Sequence, residues 1–221
     1  MDATTWNERY SQAEPVWPKS PNKWVVNEMG GHVPGVALDL GCGEGRNSIW
    51  LANQGWRVTA VDFALNALDR ARERARSESA ESGVELHISW VQADLTRYEA
   101  APGRYDLVLL TYVHLLDFER RELLRNCVRA LAPGGTLLVV GHDTTNLTDG
   151  TGGPQDPAVL FSGQDIEGDL QDHLRSGTLV LERSGRVARE VETEDGPVVA
   201  WDALFRAKRR PDVAGGFSFG S

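Results

Sequence analysis

Three glycines at alternate positions, Gly41, Gly43 and Gly45, follow the apolar run Val36-Ala37-Leu38-Asp39-Leu40 and open onto a helix-forming segment that starts at Arg46. An apolar run of that length reads as a buried strand. Glycines directly after it let the backbone turn and approach a ligand without Cβ interference, and the next helix points its free N–H groups into the same crevice. The chemistry this suits is the binding of a nucleotide-type cofactor. A second strand-like run, Arg57 to Val61, ends in Asp62, where strand-helix-strand geometry brings a carboxylate to ribose hydroxyls. Two histidines follow later strand-like runs, His114 after the fourth and His142 immediately after the fifth, at the sheet end where ligands of α/β folds collect. Each is a candidate proton acceptor and reads equally well as a hydrogen-bonded structural histidine. Asp143 either orients His142 or caps the next turn. No repeated His/Cys/Asp spacing argues for a metal.

The glycine pattern is Gly-x-Gly-x-Gly rather than the Gly-x-Gly-x-x-Gly of dinucleotide sites, and Asp39 stands two positions before its first glycine. This favours S-adenosylmethionine over NAD. With Asp62 in register, these residues resemble the class I S-adenosylmethionine-dependent methyltransferases. The resemblance runs from about residue 36 to 142, including the stretch Leu131-Ala132-Pro133-Gly134-Gly135-Thr136-Leu137. It implies that Gly41, Cys42 and Gly43 pass the methionyl part of the cofactor along their backbone and that Asp62 binds the ribose. It also implies that Phe63 lies against the adenine, that Asp94 with Leu95 holds its amino group, and that Thr111, Tyr112 and Val113 close the site beside the sulfonium. S-adenosylhomocysteine would be the product. Arg46 either meets the methionyl carboxylate or is a solvated residue opening the helix. Cys42 reads as a small turn residue rather than a reactive thiol, because methyl transfer needs no protein nucleophile.

Residues 43 to 52, Gly-Glu-Gly-Arg-Asn-Ser-Ile-Trp-Leu-Ala, look like the tellurite-resistance methyltransferases, and Trp6 to Trp17 is similar to the entrance of thiopurine, thiol and halide methyltransferases. The resemblance therefore implies a small-molecule acceptor, with a soft sulfur, selenium or tellurium nucleophile as the first expectation. The alternatives are a phenol or amine of a small metabolite, which needs a base such as His142 or His114, and a non-catalytic module that binds the cofactor. An NAD(P) oxidoreductase would need the wider glycine spacing and a Tyr-x-x-x-Lys pair, which the sequence lacks.

The elements that must position these residues read as an α/β fold. Five strand-like runs, Val36 to Leu40, Arg57 to Val61, Glu85 to Val91, Tyr105 to Leu110 and Thr136 to Gly141, alternate with helical ones, which implies parallel strands with helical crossovers. Ala64, Leu68, Ala71 and Ala75 make one helical stripe. A second runs from about Asp117 to Leu131, broken only at Arg120, and ends at Ala132-Pro133-Gly134-Gly135. Beyond, Gly177 to Arg183, Arg186 to Thr193 and Val198 to Ala207 read as strands joined by turns, one of them Glu194-Asp195-Gly196-Pro197. The resemblance implies a Rossmann-like seven-stranded sheet with helices on both faces, its last strands an antiparallel hairpin.

A chain of 221 residues with 41% hydrophobic content can bury one full core. Residues 1–208 read as a single domain, in which 1–30 form an N-terminal helix and lid carrying Trp6, Tyr10 and Trp17, and residues 209–221 read as a flexible tail. The loop from Asp143 to Gly163 is long enough to be functional. A net charge of −9, with Lys208-Arg209-Arg210 as the only basic cluster, argues against nucleic acid. So does Thr111-Tyr112-Val113-His114, where methyltransferases of base amines carry an Asn- or Asp-Pro-Pro-aromatic turn. Cys42 and Cys127 are not expected to pair, which suits a reducing cytoplasm. No run approaches eighteen apolar residues, so neither export nor a membrane is expected.

Overall fold

The computed structural model describes residues 20–193 and 196–211. Its seven strands are β1 (Val36–Leu40), β2 (Arg57–Asp62), β3 (Ile88–Gln92), β4 (Tyr105–Thr111), β5 (Leu131–His142), β6 (Leu179–Thr193) and β7 (Gly196–Arg209). They form one sheet in the order β3-β2-β1-β4-β5-β7-β6. The first five are parallel, and β7 is antiparallel to both β5 and β6. The helices are α1 (Lys23–Met29), α2 (Arg46–Asn53), α3 (Leu65–Ser82), α4 (Asp117–Ala130), α5 (Gly163–Asp169) and α6 (Gln171–Arg175).

Successive strand residues point to opposite faces, and this sorts the apolar strands into two cores. Leu38, Leu40, Val108, Leu110 and Leu137 pack with Leu123, Leu124 and Cys127 of α4 and with Phe161 and Ile166. Ala37, Leu107, Leu109, Leu138 and Val140 pack with Trp24, Val25 and Met29 of α1, with Leu51 of α2 and with Leu68 of α3. Strands buried on both faces are mostly apolar, which is why β1 and β4, apart from Asp39 and Asp106, read as near-continuous runs rather than alternating ones.

Some boundaries differ from the sequence reading, each for a physical reason. β5 begins at Leu131, because Ala132-Pro133-Gly134-Gly135 bulges out of the pairing with β4 instead of ending it: Tyr105 pairs Leu131, and Leu107 pairs Thr136. Gly134 adopts φ 83° in that bulge. The turn expected between Arg183 and Arg186 is absent, and β6 runs straight through Ser184-Gly185 with a register shift between Leu181 and Arg183. Arg120, which interrupts the α4 stripe, is buried because its Nε donates to Asp169 at 2.7 Å. β7 continues to Arg209, whose guanidinium donates to the Leu131 carbonyl at 2.6 Å, so Lys208 and Arg209 belong to the sheet and not to a tail. Trp6, Tyr10 and Trp17, Glu194-Asp195 and the tail from residue 212 lie outside the described residues. Cys42 and Cys127 are both free and buried. Among the described residues, no helix is long and apolar enough to cross a membrane.

Candidate functional site

The strand order runs one way from β1 through β2 to β3 and the other way from β4 to β5, which makes the C-terminal ends of β1 and β4 the switch point of the sheet. A cleft of about 840 Å³ opens there, within the size range of small-molecule sites. Its floor is the glycine loop. Gly41, Gly43 and Gly45 all take left-handed φ values of 73°, 53° and 77°. A Cβ on Gly41 would stand 2.4 Å from Val113 Cγ2, and one on Gly45 would stand 2.6 Å from the Trp90 ring. Both conformation and space thus demand glycine at these two positions. Gly45 caps α2 without any side-chain bond to the helix. This is a backbone cradle of the kind a cofactor's polar chain fits.

The loop is pinned by two acids. Asp39 is fully buried, accepts from Ser48 Oγ at 2.6 Å and leaves its other oxygen without a partner. Burial pushes its carboxyl up to about 6, against the opposing Ser48 bond. Asp39 does not line the cleft; it ties β1 to α2 beneath the loop. Asp62 does line it, and its two oxygens accept from the N–H groups of Gly43 at 2.8 Å and Ala64 at 2.9 Å. Burial raises the Asp62 carboxyl, opposed by these backbone bonds.

Cys42, Phe63, Asp94 and Leu95 line the same cleft as Asp62, and Thr96 holds Asp94 through its N–H and hydroxyl at 2.9 and 2.8 Å. The Cys42 thiol is pushed well up by burial and then by Asp39, which suits packing rather than reaction. Arg46 and Arg74 also reach the cleft. Asn47, another lining residue, donates to Thr111 Oγ1 at 3.1 Å and accepts from the Asn22 N–H at 2.9 Å, so the glycine helix, β4 and the start of α1 are joined through one side chain.

Thr111, Tyr112, Val113 and His114 form the wall after β4. Tyr112 is the only described non-glycine residue with positive φ, at 54°, a conformation that costs on the order of 1–3 kcal/mol in a bulky residue. Its hydroxyl donates to Asp202 at 3.0 Å, and burial followed by Asp202 pushes the phenol up to about 12. His114 Nδ1 lies 3.1 Å from the Val159 carbonyl. A carbonyl only accepts, so Nδ1 carries the hydrogen and Nε2 the lone pair, buried without a partner. Burial lowers the His114 pKa and keeps the ring neutral.

His142 stands behind this wall rather than in it. Its ring stacks on His114 with centroids 5.3 Å apart and lies 4.7 Å from Tyr112. Its Nδ1 is 3.7 Å from Asp202 Oδ1, too long for a hydrogen bond. Burial and then His114 lower its pKa to about 4, so the ring is neutral and the contact is not an ion pair. Asp143 takes the capping role, accepting from Thr145 N–H and Oγ1.

The sequence reading missed Asn22, Trp24, Asn47, Arg74, Arg189 and Asp202. Asp202 alone carried a signal, as an acid inside the apolar run from Val198 to Ala207. Of the long loop after β5, Pro154, Gln155, Asp156 and Val159 reach the cleft.

Comparison with known proteins agrees with this geometry. Residues 37–135 match the family model described as a methyltransferase domain. Over 110 residues the chain is 38% identical to a ubiquinone biosynthesis O-methyltransferase of Caulobacter sp. strain K31, covering 49% of this chain and 41% of that protein. Over 105 residues it is 34% identical to the methyltransferase GfsG of Streptomyces halstedii, covering 46% and 36%. The chain thus spans half or less of the length of these curated relatives. The fold is similar to the crystal structure of the N-methyltransferase NodS from Bradyrhizobium japonicum in complex with S-adenosylhomocysteine, with a TM-score of 0.68 and 20% identity over 95% of this chain and 99% of that one. Over residues 37–135 the chain is therefore similar to methyltransferase domains, and over nearly its whole length its fold is similar to that of NodS.

Proposed function

We propose that this protein transfers a methyl group from S-adenosylmethionine to a small protic acceptor, a phenol or an amine, and that His114 takes up the acceptor's proton. The observation that carries this reading is the His114 geometry: a neutral ring with its Nδ1–H fixed on the Val159 carbonyl and a free Nε2 lone pair. Such a group can take up a proton from an acceptor that reaches Nε2, which the wall of the cleft covers in this structure. When bound, S-adenosylmethionine supplies a methyl already activated on a sulfonium. The backbone of Gly41 and Gly43 with Cys42 would hold its methionyl chain, with Arg46 at the carboxylate; Asp62, Phe63, Asp94 and Leu95 would hold the adenosine, and Thr111 would close the site. His142 would keep the His114 ring in its plane by stacking. The names of the relatives, an O-methyltransferase and an N-methyltransferase among them, lend support from outside the chain.

A soft sulfur, selenium or tellurium acceptor is the second reading, favoured by the sequence of residues 43–52. The cleft beyond His114 presents Glu119 and Asp156, and among the described lining residues after Val113 there is no Lys or Arg. That balance favours a neutral thiol over a chalcogen oxyanion. The net charge of −9 supports a small molecule rather than nucleic acid as the partner. Two free buried cysteines suit a cytoplasmic setting. Part of the loop from Asp143 to Gly163 would act as a cover on the acceptor.

The test is a methylation screen of phenols, amines and thiols with the wild type and His114→Ala. Turnover of phenols and amines should fall by about 10²-fold, while thiols change little because their thiolate needs no base. An equal loss for every acceptor would reduce His114 to a packing role, and a wild type without turnover on any acceptor would leave a cofactor-binding module.

A further inference from the structure

The residue that organises the wall of the cleft stands outside the matched segment 37–135 and is not a lining residue. Asp202 lies on β7, opposite His142 of β5, and is completely buried. One oxygen accepts from three elements at once: Trp24 Nε1 of α1 at 2.9 Å, Tyr112 Oη after β4 at 3.0 Å and Arg189 Nε of β6 at 2.9 Å. The other oxygen has no hydrogen-bond partner. Burying a carboxylate is costly unless it is paired and bonded, and Arg189 supplies the pairing charge.

Tyr112 is held in a left-handed conformation that a bulky side chain avoids, and such strain persists only where the surroundings over-determine it. The guanidinium groups of Arg46 and Arg189 stand 5.9 and 6.0 Å from the Tyr112 ring. Arg46 is the lining residue at the start of the glycine helix. A chain of contacts therefore runs from Asp202 through Tyr112 to Arg46 and the cofactor end of the cleft.

We propose that Asp202 is a positioning residue: it fixes Tyr112 in its left-handed turn, so that the ring forms the wall on which Arg46 rests where cofactor and acceptor meet. This rests on the methyltransferase reading of the cleft. Trp24 brings α1 to the same carboxylate oxygen, so the N-terminal side of the chain is docked by the group that sets the wall.

The test is calorimetric titration of the full chain with S-adenosylhomocysteine, for the wild type, Tyr112→Phe, Asp202→Asn and the double variant, with thermal unfolding of each alongside. Tyr112→Phe keeps the ring and removes the hydroxyl's links to Asp202, Asn22 and Arg189, and the double variant isolates the share that runs through Asp202. Each single variant is expected to bind about 3- to 10-fold more weakly at temperatures well below its own melting point, and the double variant no more weakly than the worse single one. That non-additivity is the signature of Asp202 acting through Tyr112, which a general loss of stability would not produce. Unchanged affinity in Tyr112→Phe, or additive losses in the double variant, would overturn the proposal while leaving the cofactor site in place. If Asp202→Asn fails to fold, Tyr112→Phe decides alone. A wild type that does not bind S-adenosylhomocysteine would overturn the reading of the cleft itself, and the proposal with it.

Discussion

Asp62 shows how one carboxylate serves the fold and the site together. By accepting from Gly43 and Ala64 it fixes the glycine loop while standing in the cleft. Asp62→Ala is expected to weaken S-adenosylhomocysteine binding by about 1.5–3 kcal/mol, the range for lost charge-assisted hydrogen bonds, as read by calorimetry. Two other buried groups set a pH dependence with opposite signs. His142 titrates at 6.5 when unfolded and about 4 when folded, facing Asp202, His114, Arg189 and Tyr112. The unfolded chain protonates first as pH falls, so its contribution to stability is full above 6.5 and lost down to about 4. Asp39 titrates at 3.8 when unfolded and about 6 when folded, so the folded chain protonates first and acidification from about 6 returns stability. His142→Phe should flatten the fall in urea-unfolding free energy between pH 6.5 and 4, by up to ~3 kcal/mol. Asp39→Asn should steepen it. The reverse pattern would mean that neither group is held as described.

Among the elements, the loop between β1 and α2 is constrained at every turn. Gly41→Ala must adopt φ 73° and press on Val113, which should lower stability by ~1–2 kcal/mol from conformation alone and displace the wall after β4. A smaller loss of stability with unchanged S-adenosylhomocysteine binding would show that the loop has room to spare. Further from the site, Arg120 of α4 and Asp169 of α5 are both nearly buried and meet at 2.7 Å, with Arg121 at 3.2 Å on the same carboxylate. Removing Arg120 leaves the buried Asp169 carboxylate with Arg121, which is partly exposed, as its remaining partner. Arg120→Met is therefore expected to cost about 1.5–3 kcal/mol in urea unfolding, the range for a lost hydrogen bond to a charged group, and Arg120→Met with Asp169→Leu to recover much of it. An interruption in an apolar stripe that looked like a flaw in the sequence is thus the contact that fastens the helix after β5 onto α4.

At the scale of the whole molecule, cofactor binding and folding are linked. S-adenosylhomocysteine at about one hundred times its dissociation constant should stabilise the chain by about 2.7 kcal/mol, visible as a raised melting temperature, whereas NAD and NADP should shift nothing. A shift with a nicotinamide nucleotide instead would contradict the glycine-loop assignment. The sequence by itself determined the parallel strands, the glycine loop and Asp62, because these depend on local patterns: apolar runs of strand length, glycines where φ must be positive, and an acid at a strand end. It also placed His114 and His142 at the right end of the sheet. It could not separate their roles, since one lines the cleft and the other stacks behind it, a distinction set by the hairpin that returns β7 beside β5. Ser184-Gly185 reads locally as a turn, yet pairing along β7 carries the strand through it. Asp202, Trp24, Tyr112 and Arg189 are scattered over the chain, and only tertiary structure brings them to one carboxylate. Buried charge is decided by which partners arrive from distant elements, and no local pattern records that.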